Sequence, residues 1–365
     1  MSTADSFEVK FASGETTRVV IGPLSSLPGA CRAAGLSGRA GLLVDAGLAP
    51  LHLPALRALS PAFGDVLARP VREDRKSLAE VEAMCEVLAL RGVGRDGFVV
   101  AVGGGVLTDL AGLAAALYLR GVPWAAAPST LLSQVDAGLG GKTGANLSAG
   151  KNLVGAFHQP RVVLCDPALL RTLPARELWS GLAEVVKCAL LSPDPALLER
   201  CERDLERAAA GDAAALAPLI EASLRHKALV VAADEREGAG RAFLNLGHTV
   251  GHALEAATGY GYFAHGEAVA LGLRSALWLS RERGLLDGAS FDRALALVRR
   301  LRIARPLELS VDQREAALQA LAHDKKARAG HVRFVLLRGL GRPELVEVSP
   351  AESAAALDQF RGHHT

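Results

Sequence analysis

Several features are scarce in this sequence, and each scarcity excludes a class of protein. The 41 basic and 39 acidic side chains nearly cancel, and a net charge of +2 argues against a general binder of nucleic acids or membrane surfaces. The longest apolar run, Leu110–Leu119, is shorter than the roughly 20 residues that a membrane span needs. The start, MSTADSFEVKF, lacks the basic and apolar regions of a signal peptide. We therefore expect a soluble cytoplasmic protein that binds neither nucleic acid nor membrane.

Cysteine is also scarce. Five cysteines are an odd number, and they are widely spread without a CxxC pair: Cys31, Cys85, Cys165, Cys188 and Cys201. This distribution favours neither a disulfide framework nor a thiolate metal site. The length of 365 residues suits two domains, each with its own core.

Lysine and asparagine are also scarce. Only eight of the 41 basic residues are lysine, and asparagine occurs three times. A chain that otherwise uses arginine retains lysine where a compact ammonium group is needed. Lys142, Lys151, Asn146 and Asn152 fall within eleven residues, and Asn245 lies close to a histidine pair. Chance explains any single lysine, but it explains this clustering poorly.

The first half of the chain alternates strand and helix patterns. Short apolar runs predict strands at Arg39–Asp45, Gly97–Val102, Pro123–Pro128 and Arg161–Cys165. Helical spacing predicts helices at Leu78–Leu90 and Val106–Leu119. Strands separated by helices indicate parallel βαβ units in a doubly wound sheet.

From about residue 177 the pattern becomes mainly helical. Long helices are predicted at Pro195–Ala210, Ala213–Ala232, His248–Ala257 and Ser290–Leu301, and only His331–Leu337 resembles a strand. We expect an α/β domain over 1–176 and a helical domain over 177–365, packed around a shared cleft.

Two glycine-rich segments come close to nucleotide-binding motifs. A strand that ends in Gly103, Gly104 and Gly105 and opens a helix can bring bare backbone amides to a phosphate. The dinucleotide pattern G-x-G-x-x-G fails because Thr108 occupies its third glycine position. GGKT at 140–143 resembles a P-loop, but Asp136 stands where its first glycine should be. A tight turn is the alternative, and Asp109 either complements the helix dipole or binds a cofactor.

Histidines and a glutamate form a candidate metal-ligand set. His248 and His252 share one helical face in NLGHTVGHALE, and His265 begins another helix in YFAHGEAV. Glu184 lies among apolar residues in GLAEVVK, one turn before Lys187. A carboxylate and imidazoles could bind a divalent metal and acidify a substrate hydroxyl. The alternatives are a packed histidine pair and a surface ion pair between Glu184 and Lys187.

Taken together, the motifs resemble the 3-dehydroquinate synthase family. The resemblance extends from about residue 70 to 340 and rests on GGGVLTDLAG, ALYLRGVPWAAAPSTLLSQVDAGLGGKTGANLSAGKNLVGAFHQP, RELWSGLAEVVK, KALVVAADERE, RAFLNLGHTVGHALEAATGYG, HGEAVALG and DKKARAGHVRFVLL. It implies a Rossmann-like NAD domain, a mainly α-helical metal domain and a homodimer. The implied reaction converts 3-deoxy-D-arabino-heptulosonate 7-phosphate to 3-dehydroquinate by transient NAD oxidation, phosphate elimination, re-reduction and aldol closure.

The resemblance also implies roles for individual residues. The metal, zinc or cobalt, would be bound by Glu184, His248 and His265. NAD contacts are implied for Glu73, Lys76, Gly104, Gly105, Val106, Leu107, Thr108, Asp109, Ser129, Thr130, Lys142, Lys151, Leu169 and Thr172, with Asp45 a weaker candidate for the ribose. The anionic sugar-acid phosphate would be bound by Lys142, Lys151, Asn152, Lys187, Lys227, Arg241, Asn245 and one of Lys325 and Lys326, here assigned to Lys326. Asp136 would lie near the substrate hydroxyls. His252 would either support the metal ligands or lie on the phosphate side, without binding the metal. Arg120 would reach the substrate of a neighbouring subunit.

Three other interpretations remain open. The nearest is another sugar phosphate cyclase of the valiolone or inosose type, which would share the NAD and metal machinery. Another is a metal-dependent polyol dehydrogenase, which would not need the phosphate-binding lysines. The third is a non-catalytic sugar-phosphate binding protein.

Overall fold

The computed structural model describes residues 5–48, 50–238, 240–305, 308–323 and 332–359. Its strands are β1 (Asp5–Lys10), β2 (Thr16–Ile21), β3 (Ala40–Asp45), β4 (Leu67–Arg69), β5 (Phe98–Gly103), β6 (Trp124–Pro128), β7 (Lys142–Leu147), β8 (Gly150–Phe157), β9 (Val162–Cys165), β10 (Val332–Leu337) and β11 (Pro343–Val348). Its α-helices are α1 (Leu27–Ala33), α2 (Leu53–Arg57), α3 (Ser60–Phe63), α4 (Leu78–Leu90), α5 (Gly105–Leu117), α6 (Ala175–Leu191), α7 (Pro195–Ala209), α8 (Ala213–Ala233), α9 (His248–Thr258), α10 (His265–Glu282), α11 (Gly288–Arg299), α12 (Val311–His323) and α13 (Pro350–Asp358).

The chain forms two compact units. The first contains Met1–Leu173 and Leu216–Arg236, and the second contains Pro174–Ala215 and Glu237–Thr365. The sequence placed 216–236 in the helical half, whereas most of α8 belongs to the first unit. Lys227 of α8 binds Asp136, and the Arg225 guanidinium lies 4.4 Å from the centre of the Phe7 ring. These contacts are distant along the chain, which is why the helical pattern of α8 did not reveal its domain.

The first unit is built on a seven-stranded sheet with the order β1-β2-β9-β6-β5-β3-β4. Only β1 and β2 pair antiparallel, and all other neighbouring strands are parallel. Alternate residues of β5 enter the cores on opposite faces, Val100 and Val102 on one side and Val99 and Ala101 on the other. Burial on both faces explains the uniformly apolar strand sequences. The predicted α/β class with a parallel sheet is confirmed.

The strand order reverses direction between β3 and β5. From β3 the chain moves outward to β4, then returns to β5 on the other side of β3. The carboxyl ends of the two strands lie together, since a Cβ added to Gly103 would be 3.1 Å from the Asp45 Cβ. In parallel sheets, a crevice at such a reversal is the usual ligand site.

The second unit consists of helices and the antiparallel pair β10–β11. Helices α7, α8, α9 and α11 match the predicted helical segments to within a few residues, and α10 begins at His265 as predicted. Strand β11 was missed, as were β1, β2, β4 and the β7–β8 hairpin in the first unit. None of the helices in the described part of the chain combines the length and the apolar character of a membrane span.

Candidate functional sites in the two units

Helix α6 carries Glu184 and Lys187 into the interior of the second unit. The Glu184 side chain is completely buried and that of Lys187 is 2 % exposed. The Lys187 ammonium group contacts Glu184 Oε2 across one helical turn. The alternative of a surface ion pair is therefore wrong. Removing either partner of a buried ion pair destabilises the protein, because the remaining charge is left uncompensated and away from water.

The first turn of α10 is pressed against α6, and this contact places His265 near Glu184. A Cβ added to Gly266 would lie 2.1 Å from the Ser180 carbonyl oxygen, so only glycine fits there. The Gly266 amide donates to Ser180 Oγ at 2.9 Å. Arg176 of α6 also donates two hydrogen bonds to the buried Glu267 carboxylate, at 3.1 and 2.6 Å.

Helix α9 approaches α10 just as closely, and this places His248 near the other two residues. A Cβ added to Gly272 would lie 1.8 Å from the Gly247 carbonyl oxygen. Gly247 also has a φ of 79°, in the left-handed region, and it directly precedes His248 at the start of α9. The backbones can meet at this distance only because Gly272 has no side chain.

The three helices bring together Glu184, His248 and His265, the set that the family resemblance implied. Nε2 of His248 lies 3.6 Å from Glu184 Oε1, and Nε2 of His265 lies 3.5 Å from the same oxygen. One ligand atom from each residue lies within 4.8 Å of the others. A tetrahedral zinc ion about 2.0–2.1 Å from each ligand would hold ligand atoms about 3.3–3.4 Å apart. The donor types and spacing therefore fit a divalent transition metal.

The two imidazoles are in different electrostatic environments. Burial, together with the nearby Lys187 charge, lowers the pKa of His248 well below its usual range, so its ring is neutral. Burial also opposes charge on His265, but contacts with Glu184 and Glu255 outweigh it and raise the pKa of His265 to about 10. Binding a cation at this site would require His265 to release that proton.

The glycine turn of the first unit lies at the strand-order reversal. Strand β5 ends at Gly103, Gly104 caps α5, and the helix begins at Gly105. A Cβ added to Gly104 would lie 3.1 Å from Thr130 Cγ2, so the turn lies next to Thr130, another residue for which the resemblance implies an NAD contact. The first amides of a helix have no partner within it and carry partial positive charge. This turn therefore suits a phosphate of a dinucleotide.

Lys76 organises a polar cluster in the same unit. Its ammonium group donates to Asp109 Oδ2 at 2.5 Å and to Asn152 Oδ1 at 2.6 Å, and its side chain is 4 % exposed. Asn146 donates to Glu73 Oε1 at 2.8 Å, and its own Oδ1 accepts from the Asn152 amide at 2.9 Å. Four predicted site residues, Glu73, Lys76, Asp109 and Asn152, therefore form one network.

The predicted helix start at Val106 placed Asp109 in the first turn, but α5 begins at Gly105 and Asp109 lies in its second turn. Burial raises the pKa of Asp109 to about 6, although the Lys76 charge opposes the shift. Its role in this structure is to accept a hydrogen bond from Lys76.

Asp136 and Lys227 also meet in the first unit. Asp136 lies in a π-helical turn, Ser133–Ala137, a rare form that is frequent at functional sites. Lys227 Nζ donates to the Asp136 backbone oxygen and to Oδ1, both at 2.5 Å. Two residues predicted to lie at the substrate site are therefore hydrogen-bonded to each other.

Other predicted residues have different environments. Leu107, Thr108 and Leu169 are buried, and Thr108 Oγ1 donates to the Gly105 carbonyl oxygen, so these side chains contribute to packing. Thr172 Oγ1 lies 2.7 Å from Nε2 of His52, a residue that the sequence did not indicate.

The residues predicted to bind substrate differ in exposure. Arg241 is buried, whereas four others are exposed: Arg120, Lys142, Lys151 and His252. Lys325 and Lys326 lie outside the described residues.

Besides His52, sequence reasoning missed three of the described residues at these sites. Asn146 was noticed for its rarity but given no role, although it joins Glu73 to Asn152. Glu255 lies 3.7 Å from His265, and Glu267 anchors the start of α10. A helical plot would have placed Glu255 on the histidine face of α9, because it follows His248 by two turns.

Comparison with known proteins identifies relatives over most of the chain. A family model described as 3-dehydroquinate synthase N-terminal matches residues 66–180, and one described as 3-dehydroquinate synthase C-terminal matches residues 181–327. The 3-dehydroquinate synthase of Opitutus terrae is 49 % identical over 303 residues, covering 82 % of both chains. That of Rhodospirillum rubrum is 45 % identical over 348 residues, covering 90 % of both.

Solved structures share the fold. A 2-deoxy-scyllo-inosose synthase complexed with carbaglucose-6-phosphate, NAD+ and Co2+ is 26 % identical, with a TM-score of 0.86 over 97 % of this chain and 99 % of that one. The 2-epi-5-epi-valiolone synthase of Streptomyces hygroscopicus, with NAD+ and Zn2+ bound, is 30 % identical, with a TM-score of 0.83 over 99 % of both. An iron-containing alcohol dehydrogenase of Thermotoga maritima, 15 % identical with a TM-score of 0.69 over 99 % of this chain and 100 % of that one, shares the fold alone.

Proposed function

The chain belongs to the 3-dehydroquinate synthase family, and from that premise we propose that it converts 3-deoxy-D-arabino-heptulosonate 7-phosphate to 3-dehydroquinate and phosphate. In this reaction the enzyme is a phosphate-eliminating carbon–oxygen lyase. The observation that carries the proposal is the convergence of Glu184, His248 and His265 at metal-ligand spacing.

The residues of the second unit suit a divalent zinc or cobalt ion, and those of the first suit NAD. When bound, the metal supplies a Lewis acid that polarises a substrate hydroxyl, and NAD supplies a reversible hydride acceptor. The amides at Gly104 and Gly105 would bind the pyrophosphate, and Lys76 holds Asp109 of α5 and Asn152 in place by hydrogen bonds.

The cationic side chains suit a substrate that carries a carboxylate and a phosphate. Five cationic side chains would each donate a charge-assisted hydrogen bond to such groups: Lys142, Lys151, Lys187, Lys227 and Arg241. Lys227 is already fixed in position by Asp136, and Lys187 by Glu184. Charges held in place before the substrate arrives stabilise a leaving phosphate without reorganising during the reaction.

The assay for this function follows phosphate release. The protein is incubated with heptulosonate 7-phosphate, zinc or cobalt, and NAD in an amount far below that of the substrate. We expect phosphate to reach the amount of substrate with no net NADH. If glycerol is supplied as the substrate instead, accumulation of NADH would indicate a polyol dehydrogenase. Phosphate release from a heptulose or hexose phosphate, but not from heptulosonate 7-phosphate, would indicate another sugar phosphate cyclase.

Replacing Lys142 with alanine should cost activity rather than stability. The side chain is exposed, so its loss should change the free energy of unfolding by no more than about 0.5 kcal/mol. If its ammonium group binds substrate or transfers a proton, kcat/KM should fall at least about 100-fold. Phosphate release and urea unfolding of the variant test both parts, and a fully active variant contradicts the assignment.

We also propose that the protein is a homodimer. Several large apolar side chains on α5, β7, β8 and their flanks are between 38 and 55 % exposed: Leu117, Leu119, Leu147, Leu153 and Phe157. Arg120 lies three residues after the end of α5 and has a φ of 70°, in the left-handed region. Analytical ultracentrifugation at micromolar concentration should give twice the chain mass, and a monomer would contradict the proposal.

A further inference from the structure

Glu255 is an acidic residue beside the candidate metal centre that has no role in the proposed reaction. It follows His248 by seven residues on α9, which is close to two full turns, so both side chains lie on one face of the helix. The Glu255 side chain is only 12 % exposed. A carboxylate that is largely withdrawn from water needs a charged or hydrogen-bonding neighbour.

The imidazole of His265 lies between two carboxylates. Its Nε2 is 3.5 Å from Glu184 Oε1, and its Nδ1 is 3.7 Å from Glu255 Oε2. The two ring nitrogens therefore face acidic groups from different helices, α6 and α9. Nε2 faces the group formed by Glu184 and His248, whereas Nδ1 faces Glu255, so the two nitrogens can have different functions.

A neutral imidazole can bind a metal through only one nitrogen while the other carries the proton. An acceptor for that proton fixes both the tautomer and the ring orientation. We propose that Glu255 is a positioning residue that accepts a hydrogen bond from Nδ1–H of His265 and so directs its Nε2 lone pair toward the cation shared with Glu184 and His248. This inference rests on the proposed metal-dependent function. It predicts that Glu255 strengthens metal binding.

A second arrangement of the same atoms is a separate cation site. His252, Glu255 and His265 also place ligand atoms within 4.8 Å of one another. However, His265 belongs to both groups, so two ions would require its ring to lose both protons and bridge them. His252 is exposed, which makes this group the more open of the two. The positioning role needs no second ion and no such deprotonation.

The test compares Glu255→Gln and Glu255→Leu with the unmodified protein. Glutamine keeps the size and an acceptor oxygen but loses the charge, and leucine loses both. Glu282→Gln is the matched control, because Glu282 is an exposed glutamate at the end of α10, outside both ligand groups. Each protein is stripped of metal, and three quantities are measured without substrate: zinc affinity by chelator competition, zinc per chain, and the visible spectrum of the cobalt form.

We expect Glu255→Leu to weaken zinc binding 10- to 100-fold, Glu255→Gln to weaken it less, and the control to match the unmodified protein. The cobalt spectrum should change in both Glu255 variants, and every protein should bind one ion per chain. The far-UV circular dichroism of the metal-free Glu255→Gln protein should match that of the control, which separates positioning from a general loss of structure. If Glu255→Leu does not fold, the nearly isosteric glutamine variant still gives the comparison.

Three results would overturn the inference or its premise in distinguishable ways. Unchanged affinity and spectrum in both Glu255 variants would refute the positioning role while leaving the proposed function intact. Two ions per chain in the unmodified protein, with one lost on replacing Glu255, would make Glu255 a ligand instead. Failure of the unmodified protein to bind zinc or cobalt would refute the metal-dependent function itself.

Discussion

Replacing His248 with alanine is expected to lower kcat/KM for phosphate release by at least about 1000-fold. The buried imidazole is one of three protein groups at ligand spacing, and its removal leaves too few donors for a stable site. Lewis-acid stabilisation is worth several kcal/mol, and about 4 kcal/mol corresponds to a factor of roughly 1000 in rate. The variant should also lose stoichiometric zinc after dialysis.

The matched comparison is His252→Ala on the same helix. His252 is exposed and lies outside the group formed by Glu184, His248 and His265. Its variant should therefore keep one zinc per chain, whatever its activity. If His252→Ala loses the metal and His248→Ala retains it, the assigned ligand set is wrong.

Replacing Gly272 with alanine is expected to destabilise the protein by about 3 kcal/mol, the upper end of the usual range for overpacking. The new Cβ would lie 1.8 Å from the Gly247 carbonyl oxygen, and a backbone atom cannot turn aside as a flexible side chain can. The two helices that carry His248 and His265 would be forced apart. We therefore expect zinc affinity to fall as well.

Gly288→Ala serves as the control for that substitution. Gly288 opens α11, and nothing lies within 4 Å of a Cβ added there. Its effect on the free energy of unfolding, measured in urea, should stay within about 0.5 kcal/mol. Equal stability of the Gly272 and Gly288 variants would show that α9 and α10 do not pack as closely as described.

The elements that could be predicted from sequence are those with a strong local pattern. Helix α4 was predicted at its observed bounds because its apolar residues recur at helical spacing. The prediction of β5, a continuous apolar run closed by glycines, was displaced by one residue. The β7–β8 hairpin was not predicted, since it is rich in glycine and polar residues and β8 is largely exposed. Its register depends on α5 and on Lys76, whose carbonyl accepts from the Asn146 amide at 2.7 Å.

The candidate sites divide in the same way. Glu184, His248 and His265 were proposed from residue type and family resemblance, and their convergence depends on glycine contacts between helices that no local pattern reveals. Asn146 bonds Glu73, which is distant in the sequence, and Glu255 of α9 contacts His265 of the next helix, so neither contact follows from a local pattern. The burial of the Glu184–Lys187 pair was also invisible, because spacing of three residues is the same on the surface and in the core.

Anomalous diffraction from crystals grown with cobalt or zinc tests the metal centre most directly. Data collected on both sides of the metal absorption edge locate the ion without reference to activity. We predict one peak per chain, about 2.0–2.2 Å from a carboxylate oxygen of Glu184 and from one ring nitrogen each of His248 and His265. A peak bound to His252 and Glu255 instead, or no peak near Glu184, would contradict the account.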